Sequence, residues 1–472
     1  MAGRDLHWLT ITEASKLLQT RQVSAAEILE DTLEWVKKTD PITRNFAYLA
    51  EKEAREEARR ADEEIGRGNY RGPLHGIPYT VKALISVAGA PMAWNSKVYA
   101  NWSPKKDAEV VRRTRNAGGV LLGKVHTHEF AWGVTTPPTR NPWDGRSVTG
   151  GSSGGSGSSI AAGQGMASWG TDCGCSVRNP SALNGCAGMR VTQGRVPASG
   201  VVPLSLTMDT VGPLARTVRD LGLMLNGVAG YDPNDHFSAD APTMDFTAKL
   251  GRDIKGMKLG VPKEYFFDHM EPGVKRLVED GIGQLAKLGM DVREVKFPHV
   301  KYTAGTFIGI VVAESAANHD EWLNDRAAEL GIDVRNFTEM GNLLLAKDYI
   351  RSNQIRTLIR QDFLDAFRDV DVIVTPTVAA TAKPPTDHPI FINVQYPDGF
   401  SEDVIWAYCR FTMPMSLAST PCCIVPCGFS DDGLPTALQI AAKPYDEATA
   451  LQVGFAYEQS TDWHTKRPSI GQ

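Results

Sequence analysis

The sequence lacks an excess of basic charge and lacks any long apolar run. Its 50 Lys and Arg residues are outnumbered by 55 Asp and Glu residues, giving a formal net charge of -5. Proteins that bind nucleic acids or anionic membranes usually present a basic surface, so neither partner is expected. No apolar run approaches the roughly 18 residues of a membrane span, and the first ten residues lack the apolar core of a signal peptide. We therefore expect a cytoplasmic protein that acts on a small molecule.

Cysteine is also scarce, and its pattern argues against cross-links. The chain has 7 cysteines, an odd number that is not typical of a disulfide framework. Neither Cys173-Gly-Cys175 nor Cys422-Cys423 has the spacing of zinc ligands. His126-Thr-His128 would place two rings on one face of a strand without a third ligand. Reduced thiols, no metal and no organic cofactor are therefore expected.

Helical patterns dominate the first 70 residues. Thr10 with Glu13, and Ser24 with Glu27, each fit a capping box, in which two side chains bind the first backbone groups of a helix. Apolar residues then recur at helical spacing. We interpret residues 1–70 as an N-terminal helical layer of the same domain as the rest.

Strand and helix patterns alternate over residues 71–465. Short β-like runs, such as Ile77–Val81 and Asp291–Val295, are separated by helical segments, such as 272–288. This alternation favours one large α/β domain. The less regular region 300–350 is the best candidate for a variable cap over a pocket.

Three blocks of residues carry the chemistry. They read Gly-Ile-Pro-Tyr-Thr-Val-Lys over 76–82, Gly-Gly-Ser-Ser-Gly-Gly-Ser over 150–156, and Thr-Asp-Cys-Gly-Cys-Ser-Val-Arg over 171–178. Taken singly, the second block could be a linker, Lys82 a surface lysine and Ser176 a helix cap. Together they resemble the amidase-signature family, and further matching segments extend the resemblance over about residues 10 to 460.

The resemblance implies a fold and a reaction. The fold is a single large domain with a mixed, mostly parallel sheet covered by helices on both faces. The reaction is hydrolysis of a carbon–nitrogen bond in a small amide, with carbamates and esters as further substrates. Ser176 would be the nucleophile, Ser152, preceded by a cis peptide bond, would relay its proton, and Lys82 would be the base.

These residue types suit acyl transfer. An amine can activate a serine only if it is neutral at the working pH, so Lys82 would have to be buried. The turn that contains Cys173, Gly174 and Cys175 could aim backbone N–H groups at the oxyanion of the tetrahedral intermediate.

Four neighbouring residues are assigned supporting roles. Thr171 and Ser153 are placed beside the oxyanion turn or the substrate. Asp172 and Arg178 are expected to brace the turn through a buried ion pair.

Two positions depart from the family pattern. Ala83 stands where the family usually has Asp after the lysine, so a partner of the strand is missing. Cys175 stands where Gly is usual, so a side chain projects beside the oxyanion turn. Cys175 could itself be a nucleophile, but no His lies near it in the sequence to activate it.

Three functions stay open. The first is a stand-alone amidase acting on a small amide or carbamate, either as a monomer or as a homodimer, with Trp132, Phe307 and Trp406 as candidate pocket walls. The second is the glutaminase-type A subunit of an Asp/Glu-tRNA amidotransferase, which would need protein partners. Against it, the chain lacks the Tyr-Gly and Ala-Ser-Ser-Leu-Asp patterns usual in that branch. The third is a binding protein without catalysis.

Overall fold

A sheet of eleven strands forms the centre of the computed structural model, which describes residues 5–92, 96–386 and 392–471. The strands are β1 (Phe46–Leu49), β2 (Pro78–Lys82), β3 (Val120–Val125), β4 (Ala167–Asp172), β5 (Ala187–Arg190), β6 (Thr210–Ala215), β7 (Lys258–Pro262), β8 (Asp291–Val295), β9 (Val372–Pro376), β10 (Asn393–Gln395), β11 (Ser401–Asp403), β12 (Cys422–Phe429) and β13 (Pro435–Ala442). Strands β10 and β11 form a separate hairpin, and the others follow the order β1-β3-β2-β4-β6-β5-β12-β13-β9-β7-β8.

Helices surround this sheet. They are α1 (Ile11–Gln19), α2 (Ala25–Thr43), α3 (Glu51–Gly66), α4 (Glu109–Asn116), α5 (Gly154–Ala161), α6 (Arg178–Asn184), α7 (Val218–Val228), α8 (Pro272–Lys287), α9 (Thr303–Asp325), α10 (Ile332–Asn342), α11 (Ala346–Asp369), α12 (Val404–Cys409), α13 (Met413–Ala418) and α14 (Glu447–Gln459). Both capping boxes predicted from the sequence are present at the starts of α1 and α2. Among the described residues, none of these helices combines the length and the apolar character that crossing a membrane requires.

The sheet is mixed, as expected, but parallel pairs are not its majority. Parallel pairing joins β3, β2 and β4 near one edge and β9, β7 and β8 at the other. The pairs between these two groups, and the pair of β1 with β3, are antiparallel. The physical reason is connectivity, because a short turn joins β12 directly to β13 and a short connection of that kind reverses the chain.

Helices cover both faces of the sheet. Leu438 of β13 packs against Gly281 of α8 on one face. Gln439, the next residue, points to the opposite face and accepts a hydrogen bond from Arg178 at the start of α6. Every residue of β13 is buried, which is typical of a strand covered on both sides.

The first 70 residues contain one element that the helical interpretation missed. Strand β1 lies between α2 and α3 and pairs with the edge of the sheet along β3. Its four residues are all half-buried, so the sequence offers no strong alternation of apolar and polar residues there.

The sheet topology brings the chemical blocks together. Strands β2 and β4 are parallel neighbours, so Lys82 and Asp172, which end them, lie at the same edge of the sheet. Strand β6 runs antiparallel to β4 and pairs Thr210 with Asp172, which places the preceding residue, Asp209, at this edge as well.

Candidate active site

Lys82 is fully buried at the end of β2. Its Nζ atom donates hydrogen bonds to Ser152 Oγ at 2.6 Å and to Thr171 Oγ1 at 2.8 Å. Burial lowers the pKa of Lys82 from 10.5 to about 7, because the loss of solvent outweighs the attraction of the Asp209 and Asp172 carboxylates. Much of the amine is therefore neutral at pH 7 and can accept a proton.

Ser152 lies in a tightly packed loop that leads into α5. The peptide bond between Gly151 and Ser152 is cis. A side chain at Gly151 would collide with the backbone of Thr135, since its Cβ would lie 2.5 Å from the Thr135 carbonyl oxygen. The Ser152 carbonyl oxygen accepts hydrogen bonds from the His128 N–H at 3.1 Å and from Thr136 Oγ1 at 3.2 Å. The position of the serine is therefore set by its backbone contacts.

Ser176 lies in the turn between β4 and α6. Its carbonyl oxygen accepts a hydrogen bond from the Ser153 N–H at 3.2 Å, and Ser153 Oγ in turn donates to the Thr171 carbonyl at 3.1 Å. The backbone N–H groups of residues 173–176 donate no hydrogen bond to any other described residue. This turn thus presents successive free donors next to the Ser176 hydroxyl.

The two serine hydroxyls are not hydrogen-bonded to each other in the part of the chain that the structure describes. Ser152 Oγ accepts its bond from Lys82, and Ser176 lines a cavity with a side chain that forms no hydrogen bond to another described residue. Of the two contacts in the predicted relay, the hydrogen bond between Lys82 and Ser152 is present, and the one between Ser152 and Ser176 is absent.

Asp172 and Arg178 form a buried ion pair beneath the turn. Arg178 Nη2 lies 2.9 Å from Asp172 Oδ1, and Nε lies 3.0 Å from Oδ2. Arg178 also donates to the Gly174 carbonyl at 2.8 Å, which ties the pair to the turn. Although burial alone would raise the pKa of Asp172, the guanidinium groups of Arg178 and Arg190 hold it well below its usual range. The carboxylate of Asp172 is therefore ionised at neutral pH.

Sequence reasoning missed Arg190, the second cation of this network. It ends β5, is fully buried, and its Nη1 atom lies 2.9 Å from Asp172 Oδ1. The signal available in the sequence was weak: one basic residue between Met189 and Val191 in an otherwise apolar segment.

A largely apolar cavity opens onto Ser176. No charged residue occurs among the described residues that line it, which are Ala131, Trp132, Gly133, Val134, Cys173, Gly174, Cys175, Ser176, Leu204, Phe307, Ile308, Val311, Phe337, Ile405, Cys409 and Met413. Trp132 stacks on Phe337 at a ring distance of 5.2 Å, and its indole N–H donates to Ser315. Of the aromatic residues expected at the pocket, Trp132 and Phe307 line it, whereas Trp406 does not.

The region 300–350 is more regular than the sequence indicated. Helix α9 supplies Phe307, Ile308 and Val311 to the cavity, and α10 supplies Phe337. These two helices therefore form the wall that faces the oxyanion turn.

A comparison with protein families identifies the chain. The model of a family described as Amidase matches residues 27–451. The chain belongs to the amidase-signature family. A relative from Chloroflexus aggregans, named as the A subunit of glutamyl-tRNA(Gln) amidotransferase, is 39% identical over 497 aligned positions that cover 99% of each chain. An amidase from Pseudomonas putida is also 39% identical, over 463 positions that cover 98% of each chain.

Other similar proteins support the same assignment. Six further relatives, 35–38% identical, have the name of the Chloroflexus aggregans protein. A solved amidase structure superposes with a TM-score of 0.84 at 31% identity, covering 96% of this chain and 99% of its own. This amidase-signature protein is thus similar along its whole length both to amidases and to the A subunits of amidotransferases.

The departure at Ala83 leaves the lysine with other acidic neighbours. Ala83 is fully buried, and its N–H donates to the Val125 carbonyl at 2.9 Å. In this amidase-signature protein the carboxylates that act on Lys82 come from Asp209 and Asp172 instead. Asp209 was not singled out as a site residue from the sequence.

Proposed function

We propose that the chain hydrolyses the carbon–nitrogen bond of a small carboxylic amide, with Ser176 as nucleophile, Ser152 as proton relay and Lys82 as base. The observation that carries this proposal is the 2.6 Å hydrogen bond between Ser152 and a fully buried Lys82 whose pKa is lowered to about 7. A neutral amine in contact with a serine hydroxyl has the features of a general base.

The first half-reaction transfers the acyl group. Ser176 Oγ attacks the amide carbonyl carbon, and its proton passes to Ser152 while the Ser152 proton passes to the Lys82 amine. The free N–H groups of residues 173–176 are suited to stabilise the resulting oxyanion, and each such donor contributes about 2.7–4 kcal/mol in serine hydrolases. The protons return along the same path to the leaving nitrogen, the carbon–nitrogen bond breaks, and an acyl ester of Ser176 remains.

The second half-reaction releases the acid. Water attacks the ester and gives its proton through Ser152 to Lys82. The tetrahedral intermediate then expels Ser176 Oγ, which regains a proton, so the enzyme returns to its starting state. Carbamates and esters undergo the same acyl chemistry and are proposed as further substrates.

The cavity favours an apolar acyl group. A charged substrate group that leaves water needs an opposite charge or strong hydrogen bonds, and the cavity at Ser176 has no charged lining residue among those described. Glutamine has both an ammonium and a carboxylate near its amide, so its zwitterion fits this lining poorly. An amide with an aliphatic or aromatic acyl part fits it well.

A second candidate function is the glutaminase activity of an A subunit in an amidotransferase. Most of the relatives described above have that name, so similarity alone favours this candidate over a stand-alone amidase. It predicts a chain that needs protein partners for full activity.

The test is hydrolysis by the purified chain alone. An anilide, an aliphatic amide, a carbamate, an ester and glutamine are compared, with Ser176→Ala as the control. We expect cleavage of the apolar amides that is lost in Ser176→Ala. Cleavage of glutamine only, or activity that appears only with added protein partners, would replace the main proposal by the second candidate.

A further inference from the structure

Two side chains near Ser176, one in its turn and one in α6, contact the backbone of Gly151, the residue that precedes Ser152. The Gly151 N–H donates to Asn179 Oδ1 at 2.9 Å, and Cys175 Sγ lies 3.8 Å from the Gly151 carbonyl oxygen as a donor. Asn179 Nδ2 also donates to Cys175 Sγ at 3.2 Å. The three hydrogen bonds close a ring through both polar groups of Gly151.

This ring completes the backbone contacts of the relay loop. The Ser152 carbonyl is held by His128 and Thr136, and the Ser153 N–H by Ser176. The N–H and C=O groups of Gly151 have Asn179 and Cys175 as their partners. Because buried backbone groups need partners, loss of either side chain would leave Gly151 unsatisfied and free to shift.

Cys175 and Asn179 belong to the same segment of the chain as the proposed nucleophile, Ser176. Asn179 follows Cys175 by four residues, and its N–H donates to the Cys175 carbonyl at 2.7 Å, so both lie on one face of the first turn that contains Ser176. Asn179 is fully buried and packed closely, since a Cβ at Gly150 would lie 2.5 Å from its Oδ1 atom. A rigid link therefore joins the segment of Ser176 to the segment of Ser152.

We propose that Cys175 and Asn179 are positioning residues that hold the relay serine at a fixed place relative to the nucleophile. This inference rests on the proposed function. It also gives the departure at position 175 a role: the thiol that replaces glycine donates to Gly151 and accepts from Asn179. The polar side chain at 179 and the thiol at 175 thus act as one unit.

Substitution of Asn179 should slow the chemical step rather than weaken binding. In Asn179→Ala, Gly151 loses its acceptor, and the two serines lose their fixed separation. Small displacements of reacting groups cost up to about 100-fold in rate, so we expect kcat to fall roughly 10- to 100-fold. KM should change little, because Asn179 is not among the residues that line the cavity.

The experiment compares Asn179→Ala with Asn184→Ala. Asn184 is a matched control, because it is the same residue type, equally buried and on the same helix, but its amide donates to the Thr149 and Pro180 carbonyls. Two rates are measured for each variant: kcat on an apolar amide, and labelling of Ser176 by a small fluorophosphonate. The kcat value is divided by the concentration of sites that the fluorophosphonate finally labels, and labelling is compared as a rate constant. Misfolded protein therefore contributes to neither quantity.

A double substitution tests whether the two residues act as a unit. Cys175→Ala and Asn179→Ala should each slow labelling, and the double variant should be only slightly slower than the worse single variant. Cys175→Ser keeps a donor for the Gly151 carbonyl and should label faster than Cys175→Ala. Should Asn179→Ala not fold, Asn179→Asp replaces it, since it keeps the acceptor for Gly151 but loses the donor to Cys175, and it should label slowly.

The outcomes separate this inference from the proposed function. Wild-type protein that is not labelled at Ser176 would overturn the proposed function, and the inference with it. Wild-type labelling with Asn179→Ala as fast per site as Asn184→Ala would overturn the inference alone. Additive effects of the two alanine substitutions would also contradict it.

Discussion

At the scale of single residues, the protonation of Lys82 determines the pH at which the proposed reaction works. Burial lowers its pKa to about 7, so the ammonium form dominates below that pH and has no lone pair for a proton. We predict that kcat/KM is constant at alkaline pH and falls about tenfold per pH unit below about pH 7. Rates on an apolar amide from about pH 5 to pH 9 measure this.

Asp209 provides a control, because the direction of its effect on the pKa of Lys82 is known. Its carboxylate raises the pKa of Lys82, so Asp209→Asn should move the acid limb to lower pH, and the Asn oxygen can still accept from the Leu204 and Ser205 N–H groups. An acid limb that stays in place in Asp209→Asn, or that is absent from the wild type, contradicts the assignment of Lys82 as the base.

The carboxylate of Asp172 is predicted to be a large contributor to stability. In Asp172→Asn the guanidinium groups of Arg178 and Arg190 stay buried without their counter-charge. Removing one partner of a buried pair costs about 3–5 kcal/mol, so the free energy of unfolding should fall by that amount. Denaturant unfolding measures the change.

An exposed ion pair is the comparison for Asp172. Arg276 and Asp431 are 2.8 Å apart, with side chains that are 52% and 81% exposed. Asp431→Asn should change the free energy of unfolding by less than about 1 kcal/mol. Equal effects of the two substitutions would show that burial does not govern the contribution of these pairs.

At the scale of elements, α9 and α10 form one wall of the cavity at Ser176, which we propose holds the acyl group. Phe307 of α9 lies directly over the oxyanion turn, since a Cβ at Gly174 would lie 2.5 Å from its ring. Phe307→Ala removes this wall, and we predict that kcat/KM for an anilide with a longer acyl chain rises about tenfold relative to acetanilide. Steady-state rates on the two anilides give the ratio.

Phe363→Ala is the control for a general loss of packing. Phe363 is buried on α11 and stacks on Phe297 at 4.3 Å, and it is not among the cavity residues. It should lower stability as Phe307→Ala does, by about 3–5 kcal/mol, without changing the substrate ratio. A ratio that changes equally in both variants would exclude α9 as the determinant of acyl size.

Elements with local signals were predicted well. Strand β8 is observed over Asp291–Val295 as expected, and the predicted helix near 272–288 is observed over Pro272–Lys287. Capping boxes are local as well, because both partners lie within four residues. Strand β1 and the regular helices α9 and α10 were missed because tertiary packing, rather than a periodic pattern in the sequence, stabilises them.

The residues of the candidate site also fall into those that the sequence could predict and those that it could not. The three chemical blocks could be recognised in the sequence, because their resemblance to a family predicts roles for Lys82, Ser152 and Ser176. Arg190 and Asn179 could not, since each acts through a residue brought near only by the sheet or by the turn of α6. The antiparallel centre of the sheet was mispredicted because strand direction depends on connections between distant segments.

At the scale of the whole molecule, we propose that the N-terminal layer and the α/β region fold as one unit. Strand β1 extends the central sheet, and the Asp220 carboxylate at the start of α7 accepts from the Ile11 and Thr12 N–H groups of α1. Trp35 of α2 donates to the Ala162 carbonyl after α5, at 2.7 Å. The layer thus contacts the C-terminal end of α5, the helix that follows Ser152.

The most direct test of the proposed chemistry is to trap the acyl-enzyme and locate it. Purified protein is mixed with an excess of an apolar activated ester, quenched in acid within the first turnovers, digested and examined by mass spectrometry. We predict one acyl group, on Ser176, that is absent from Ser176→Ala and strongly reduced in Lys82→Met. An acyl group on Cys175, or turnover with no acyl group on Ser176, would contradict the assignment of Ser176 as the nucleophile.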